Sequence, residues 1–175
     1  MSLWKIDKFH SEIMFKVKHL MITNVTGQFE SFDAEMKSDL DDFTDAVISF
    51  EADVNSINTK NEQRDGHLKS DDFFNAEKFP KIKFQSKKFI KLNDNKYKLI
   101  GDFTIRDITK EIELDVEFGG IMTDFYGNTK AGFEITGKIN RFDYNLNWNA
   151  VTEAGGIVVS PEVKLILNIQ MQKVS

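Results

Sequence analysis

The chain has 175 residues, with 23 Lys and Arg against 28 Asp and Glu and no cysteine. That length fits a single domain over residues 1–175 with a core of its own; the net charge of −5 repels phosphate backbones and argues against nucleic acid as a partner, and the absence of thiols excludes disulfides, cysteine-ligated zinc and thiol catalysis. No apolar run approaches the roughly 18 residues of a membrane-spanning helix, and the opening MSLWKIDKFH holds neither an apolar h-region nor a small-residue cleavage site, so the expected compartment is the cytoplasm, with a processed periplasmic form as the alternative.

From Glu12 onward Ile13, Phe15, Val17 and His19 alternate with polar or outward residues, the period of a strand with one buried face. Val25, Gly27 and Phe29 keep odd parity, whereas Phe32, Ala34 and Met36 are even. A one-residue change of parity predicts a bulge at Glu30 and Ser31. SDLDDFTD is turn chemistry, and Ile48, Phe50, Ala52 and Val54 form a third alternating row.

Thr59 to Pro80 is the one long stretch that does not alternate. Thr59 and Glu62 stand at capping-box spacing and predict a short helix. Ser70, followed by Asp71 and Asp72, predicts a second N-cap and a further turn carrying Phe73 and Phe74. With Leu68 and Phe79, these apolar residues need a surface to cover, so the stretch reads as a plug or lid at one end of a sheet.

Alternation resumes with Ile82, Phe84 and Ser86, and Phe89 returns on the other parity, which predicts a bulge at Lys87 and Lys88. Tyr97, Leu99, Gly101, Phe103 and Ile105 form the next inward row, then Ile112, Leu114, Val116 and Phe118. A two-residue turn at Asp107 and Ile108 would join these two rows, pairing Phe103 with Ile112 and requiring positive φ at Asp107. Ala131, Phe133, Ile135, Gly137 and Ile139 follow. After an irregular segment from Phe142 to Ser160, with a turn at Gly155 and Gly156, Val163, Leu165, Leu167, Ile169 and Met171 end the chain. The expected fold is all-β: eight antiparallel strands, the number that closes into a barrel able to hold its own side chains or one small ligand, with a short helical insertion between strands 3 and 4.

Several motifs are similar to those of one known family. Arg64, Asp65, His67, Leu68, Lys69, Asp72, Phe73, Phe74, Phe79 and Pro80 resemble the central motif of the YceI-like family. Trp4, Ile6, Asp7, His10 and Ser11 resemble its opening, continued by Phe15, His19, Leu20, Gly27 and Phe29. Gly101, Thr104, Ile105, Thr109 and Lys110 look like its mid-chain hairpin, and Arg141, Asp143 and Leu146 like its late motif, with Tyr144 and Asn145 where an aromatic residue and Gly are common. The resemblance implies a lipocalin-like barrel with a hollow interior that carries or stores long-chain polyisoprenoid lipids, and it leaves a homodimer open.

Other chemistries have simpler explanations. The three histidines, His10, His19 and His67, share no element at ligand spacing, and no metal or other cofactor is expected. His67 near Asp65, Asp71 and Asp72 permits a general acid–base reading on a prenyl substrate, but caps account for those acids, and no nucleophile elbow or phosphate loop is present. The lysines of KIKFQSKKFIK fall mainly outward, as a solvated face does. Arg64 and Asp65 either fasten the plug or approach a ligand's head group. Alternation cannot separate a hollow barrel from a solid-cored interaction module. On the hollow reading, the walls are Phe15, Val17, Phe29, Phe50, Phe84, Phe103, Leu114, Phe133, Ile135, Leu165 and Leu167, with His19 and Arg64 near the polar end of an isoprenoid or similar amphiphile.

Overall fold

A computed structural model describes residues 1–149 and 159–175. In chain order, the strands are β1 (Ser2–Ile6), β2 (Glu12–His19), β3 (Thr23–Phe29), β4 (Phe32–Ser38), β5 (Val47–Asp53) and β6 (Ile57–Asn58). Helix α1 (Glu62–Lys69) follows, and then β7 (Lys81–Lys91), β8 (Lys96–Ile105), β9 (Ile108–Thr123), β10 (Thr129–Asn140) and β11 (Val159–Lys173). These eleven pieces make eight staves, because β1 with β2, β3 with β4 and β5 with β6 are each one interrupted strand. The interruptions are short 3-10 turns after Asp7 and Asp53 and the bend at Glu30 and Ser31.

Every pairing is antiparallel, and the last stave closes on the first. The upper part of β11 pairs with β2, Leu167 opposite Ile13, and its lower end pairs with β1, Lys173 opposite Trp4. The result is a closed eight-stranded barrel. Alternation drives it: the inward rows meet side by side, as in the sequence Phe50, Phe84 and Phe103 across β5, β7 and β8. The outer faces carry charge. Lys87 reaches Asp102 and Glu111, Lys98 reaches Asp115, and Lys81 reaches Glu51 and Asp53, so part of the lysine-rich β7 is neutralised by its neighbours.

The expected bulge between Ser86 and Lys88 is present, and the parity change at Glu30–Ser31 takes the form of a bend between β3 and β4. Four details differ from expectation. Ser2–Ile6 is a strand, too short to show a clear period. The helix is capped by Asn61, whose side-chain oxygen accepts from Arg64 N at 3.0 Å, and not by Thr59. Ser70 opens only a hydrogen-bonded turn, with Phe73 N donating to its carbonyl at 3.1 Å. The β8–β9 turn falls on Arg106 and Asp107, pairing Phe103 with Lys110, and the positive φ of 55° belongs to Arg106. A shift of two residues preserves which side chains face inward, so the apolar pattern could not detect it. The expected turn at Gly155 and Gly156 lies outside the described residues.

Candidate functional site: an apolar cavity with a polar rim

The barrel has two unlike ends. At the lower end the loop between β4 and β5 turns inward at Phe43, which adopts φ 58° and is 1 % exposed. Its ring packs edge-on against Trp4, Phe118 and Phe133 at centroid distances of 5.3–5.5 Å. Phe118 and Phe133 stack on each other, as do Phe89 and Tyr97. The Tyr97 hydroxyl donates to Asp42 O at 2.7 Å and ties the loop down. This aromatic cluster forms a solid floor.

Above the floor lies a cavity of about 590 Å³, within the range of pockets that enclose small organic ligands. Its walls are almost wholly apolar. All thirteen residues expected from the sequence to face a ligand line it: Phe15, Val17, His19, Phe29, Phe50, Arg64, Phe84, Phe103, Leu114, Phe133, Ile135, Leu165 and Leu167. Three inward glycines help to keep it hollow. A Cβ on Gly27 would overlap the Phe15 ring, one on Gly101 the Gln85 carbonyl and the Phe84 ring, and one on Gly137 the Leu114 side chain. Each glycine lets a large neighbour lie flat on the wall, where a bulkier residue would force it toward the axis.

The upper end is lidded by α1 and the turns after it. Asp65 accepts from Thr59 N at 2.9 Å and also from the Thr59 hydroxyl. Arg64 donates from Nε to Thr59 Oγ1 at 2.8 Å and from Nη2 to Thr59 O at 2.6 Å. Arg64 therefore fastens the helix to the end of β6 while it lines the cavity. Arg106, from the β8–β9 turn, clamps the far side: its guanidinium donates to Asp71 O and Phe73 O and pairs with Asp71. His67 Nε2 is 2.8 Å from Asp72 Oδ2, and the imidazole meets Trp148 and Phe73 edge-on. Its contacts hold the roof in place.

Arg141, singled out only within a motif, is the strongest polar feature that the patterning missed. It is 3 % exposed, lines the cavity, and donates to the carbonyls of Leu146, Trp148, Val159 and Ser160. Those bonds secure the segment after β10 to the start of β11. Burial lowers the Arg141 pKa, since the charged form is the costlier one to desolvate. Beside it Tyr144 is 1 % exposed, and its hydroxyl has no hydrogen-bond partner among the described residues. Burial, and then the Asp143 charge, push its pKa up to about 12.

The cavity reaches the surface between β2 and α1, where the lining residues Lys18, Asn61 and Gln63 are exposed. Polar groups thus gather at one end of an apolar tunnel whose other end is sealed.

The profile of the YceI-like domain matches residues 4–171, nearly the whole chain. The protein belongs to the YceI-like family. Among its YceI-like relatives, UPF0312 protein SA2479 of Staphylococcus aureus (strain N315) is 41 % identical over 165 residues, covering 94 % of both chains. The YCEI protein of Campylobacter jejuni has a similar structure, with a TM-score of 0.78 and 33 % identity over 90 % of each chain. A polyisoprenoid-binding domain from Saccharophagus degradans superposes with a TM-score of 0.73 over 98 % of both chains at 13 % identity, a likeness of fold. Within the described residues no three His, Cys, Asp or Glu are placed to hold a metal ion, and no helix is long and apolar enough to cross a membrane.

Proposed function

We propose that this YceI-like barrel is a binding protein, without catalytic activity, that carries or stores one long isoprenoid or similar amphiphilic lipid, tail in the cavity and polar end at the rim. One observation carries the reading: the interior is an apolar cavity with a sealed floor and an opening edged by polar side chains. Burial of each methylene contributes about 0.8 kcal/mol, so a tail of some twenty carbons has enough drive to stay bound through purification after ordering costs. His19, Arg64 and Arg141 supply the few polar contacts that orient a head group. The anchoring of His67 between Asp72, Phe73 and Trp148 supports a wall role for it.

The test is organic extraction of protein purified without denaturation, followed by mass spectrometry, with melting temperatures measured in added prenyl lipids. One equivalent of a branched-chain lipid is expected. Ile135→Asp, which puts a charge on the cavity wall above the floor cluster, should abolish its recovery, whereas Lys83→Glu on the outer face should not. The reading fails if wild-type protein yields no stoichiometric lipid and no prenyl lipid raises its melting temperature.

A further inference from the structure

The hairpin between β2 and β3 stands at the rim of the opening and breaks the usual rules for a turn. Its tip is Leu20, Met21 and Ile22, which are 41 %, 58 % and 79 % exposed. Leu20 and Met21 adopt φ of 53° and 61°, the left-handed region that tight hairpins ordinarily fill with Asn and Gly. The chain thus holds three apolar side chains out in solvent, two of them on a backbone that disfavours them. Immediately below, on the outer face, Lys138, Lys164 and Lys16 stand side by side in one row across β10, β11 and β2, with Lys18 one step nearer the tip. Like charges directly opposite one another destabilise a sheet. Only Lys138 has a carboxylate within 4 Å, Glu162, among the described residues. By contrast Lys81, Lys87 and Lys91 on β7 each have a carboxylate partner, and the protein as a whole is negative.

We propose that this edge docks the opening onto an anionic lipid membrane, the hairpin tip entering the acyl boundary and the lysine row resting on the head groups. The inference rests on the lipid-binding reading and gives it a partner. An apolar tip backed by lysines is the arrangement that interfacial anchors use. A net negative protein is repelled overall by such a surface, so a row of lysines at this edge favours the approach that turns the opening toward the bilayer.

Flotation with vesicles of phosphatidylglycerol and phosphatidylcholine, against phosphatidylcholine alone, tests it. Wild-type protein should float with the anionic vesicles and be released by salt. Each lysine near such a surface contributes about fivefold in partitioning, so Lys16→Ser with Lys164→Ser should weaken binding about twenty-fivefold. Leu20→Asn with Met21→Gly suits the turn's own backbone, so that variant should fold at least as well, retain its extracted lipid and stop floating. Phe125→Ser, in the exposed hairpin at the opposite end, should float unchanged. Docking is overturned if wild-type protein ignores both vesicle types, if Phe125→Ser abolishes flotation, or if the tip substitutions only convert a dimer to a monomer in sedimentation velocity. Lipid recovery without flotation removes docking and leaves the carrier reading; flotation without lipid recovery does the reverse.

Discussion

Gly27→Ala tests whether the cavity's width depends on side chains lying flat against the wall. The added methyl would stand 2.8 and 2.9 Å from the two Cε carbons of Phe15 and closer still to its Cζ, against the 3.4–4 Å of ordinary contact. Only ring atoms of one side chain are involved, so the backbone can stay while the ring swings into the lumen by on the order of 1 Å. Space for one or two methylenes of a bound tail is lost, which at about 0.8 kcal/mol each weakens binding about four- to fifteenfold. Overpacking costs are offset here by the hollow that receives the ring and by the gain of about 0.5–1 kcal/mol from replacing a strand glycine, so the melting temperature should move little. Fluorescence titration with a prenyl alcohol and thermal melts by circular dichroism read the two quantities separately. Adding Phe15→Leu should restore affinity by removing the displaced ring. Unchanged affinity in Gly27→Ala, or a lost affinity that Phe15→Leu fails to rescue, would refute the reasoning.

Phe43→Ala removes the centre of the floor and should destabilise the fold by about 3–5 kcal/mol in urea melts, more than an equal truncation at half-buried Phe50 on the cavity wall. Tyr144→Phe deletes a buried hydroxyl that has no described partner and should stabilise by about 1 kcal/mol; a lower melting temperature would show that the hydroxyl is satisfied after all. Burial pushes the Asp7 carboxyl up, but bonds from Lys130, the His10 ring and Phe9 N outweigh it and hold the pKa at about 2 instead of the ordinary 3.8. The folded state therefore favours the carboxylate: the stabilisation, about 2 kcal/mol, is fully present above the ordinary value and is lost as pH falls through about 2. Asp7→Asn should lose that amount near neutral pH and flatten the stability profile in the acid range; an unchanged acid limb would contradict it.

Most of the barrel was legible because one buried face imposes a period of two, and parity flips marked the irregularities at Glu30–Ser31 and Lys87, though not the register shifts in β9–β10 and at the start of β11. The wall residues followed directly. What alternation could not supply was anything that leaves strict parity intact or stands alone. The β8–β9 register is one case, since a slip of two residues keeps Phe103 and Ile105 inward. Phe43 is another: a single apolar residue inside SDLDDFTD reads as turn, and its insertion depends on a positive φ that local pattern does not specify. Arg141 looked like an ordinary charge because its partners are carbonyls, which every residue has. The cavity had a faint signal, since Gly27, Gly101 and Gly137 fall on inward rows otherwise filled by large side chains, the pattern of a wall that must remain thin.

The divided pairing of β11 has a consequence for how the molecule comes into being. The other ladders join staves that are neighbours in the chain, but the seam unites β11 with both β1 and β2, Trp4 with Lys173 and Ile13 with Leu167, nearly the full sequence apart. Such non-local pairing places the fold among slow folders, on a scale of about milliseconds to seconds, and makes ring closure the late event. Before then the phenylalanine rows line a curled, open trough, so a long hydrocarbon lying along it would be enclosed as the seam zips shut, with no doorway needed. Stopped-flow refolding with and without a prenyl lipid reads this directly: faster closure with lipid present is expected, and identical rates with no lipid captured would rule the route out.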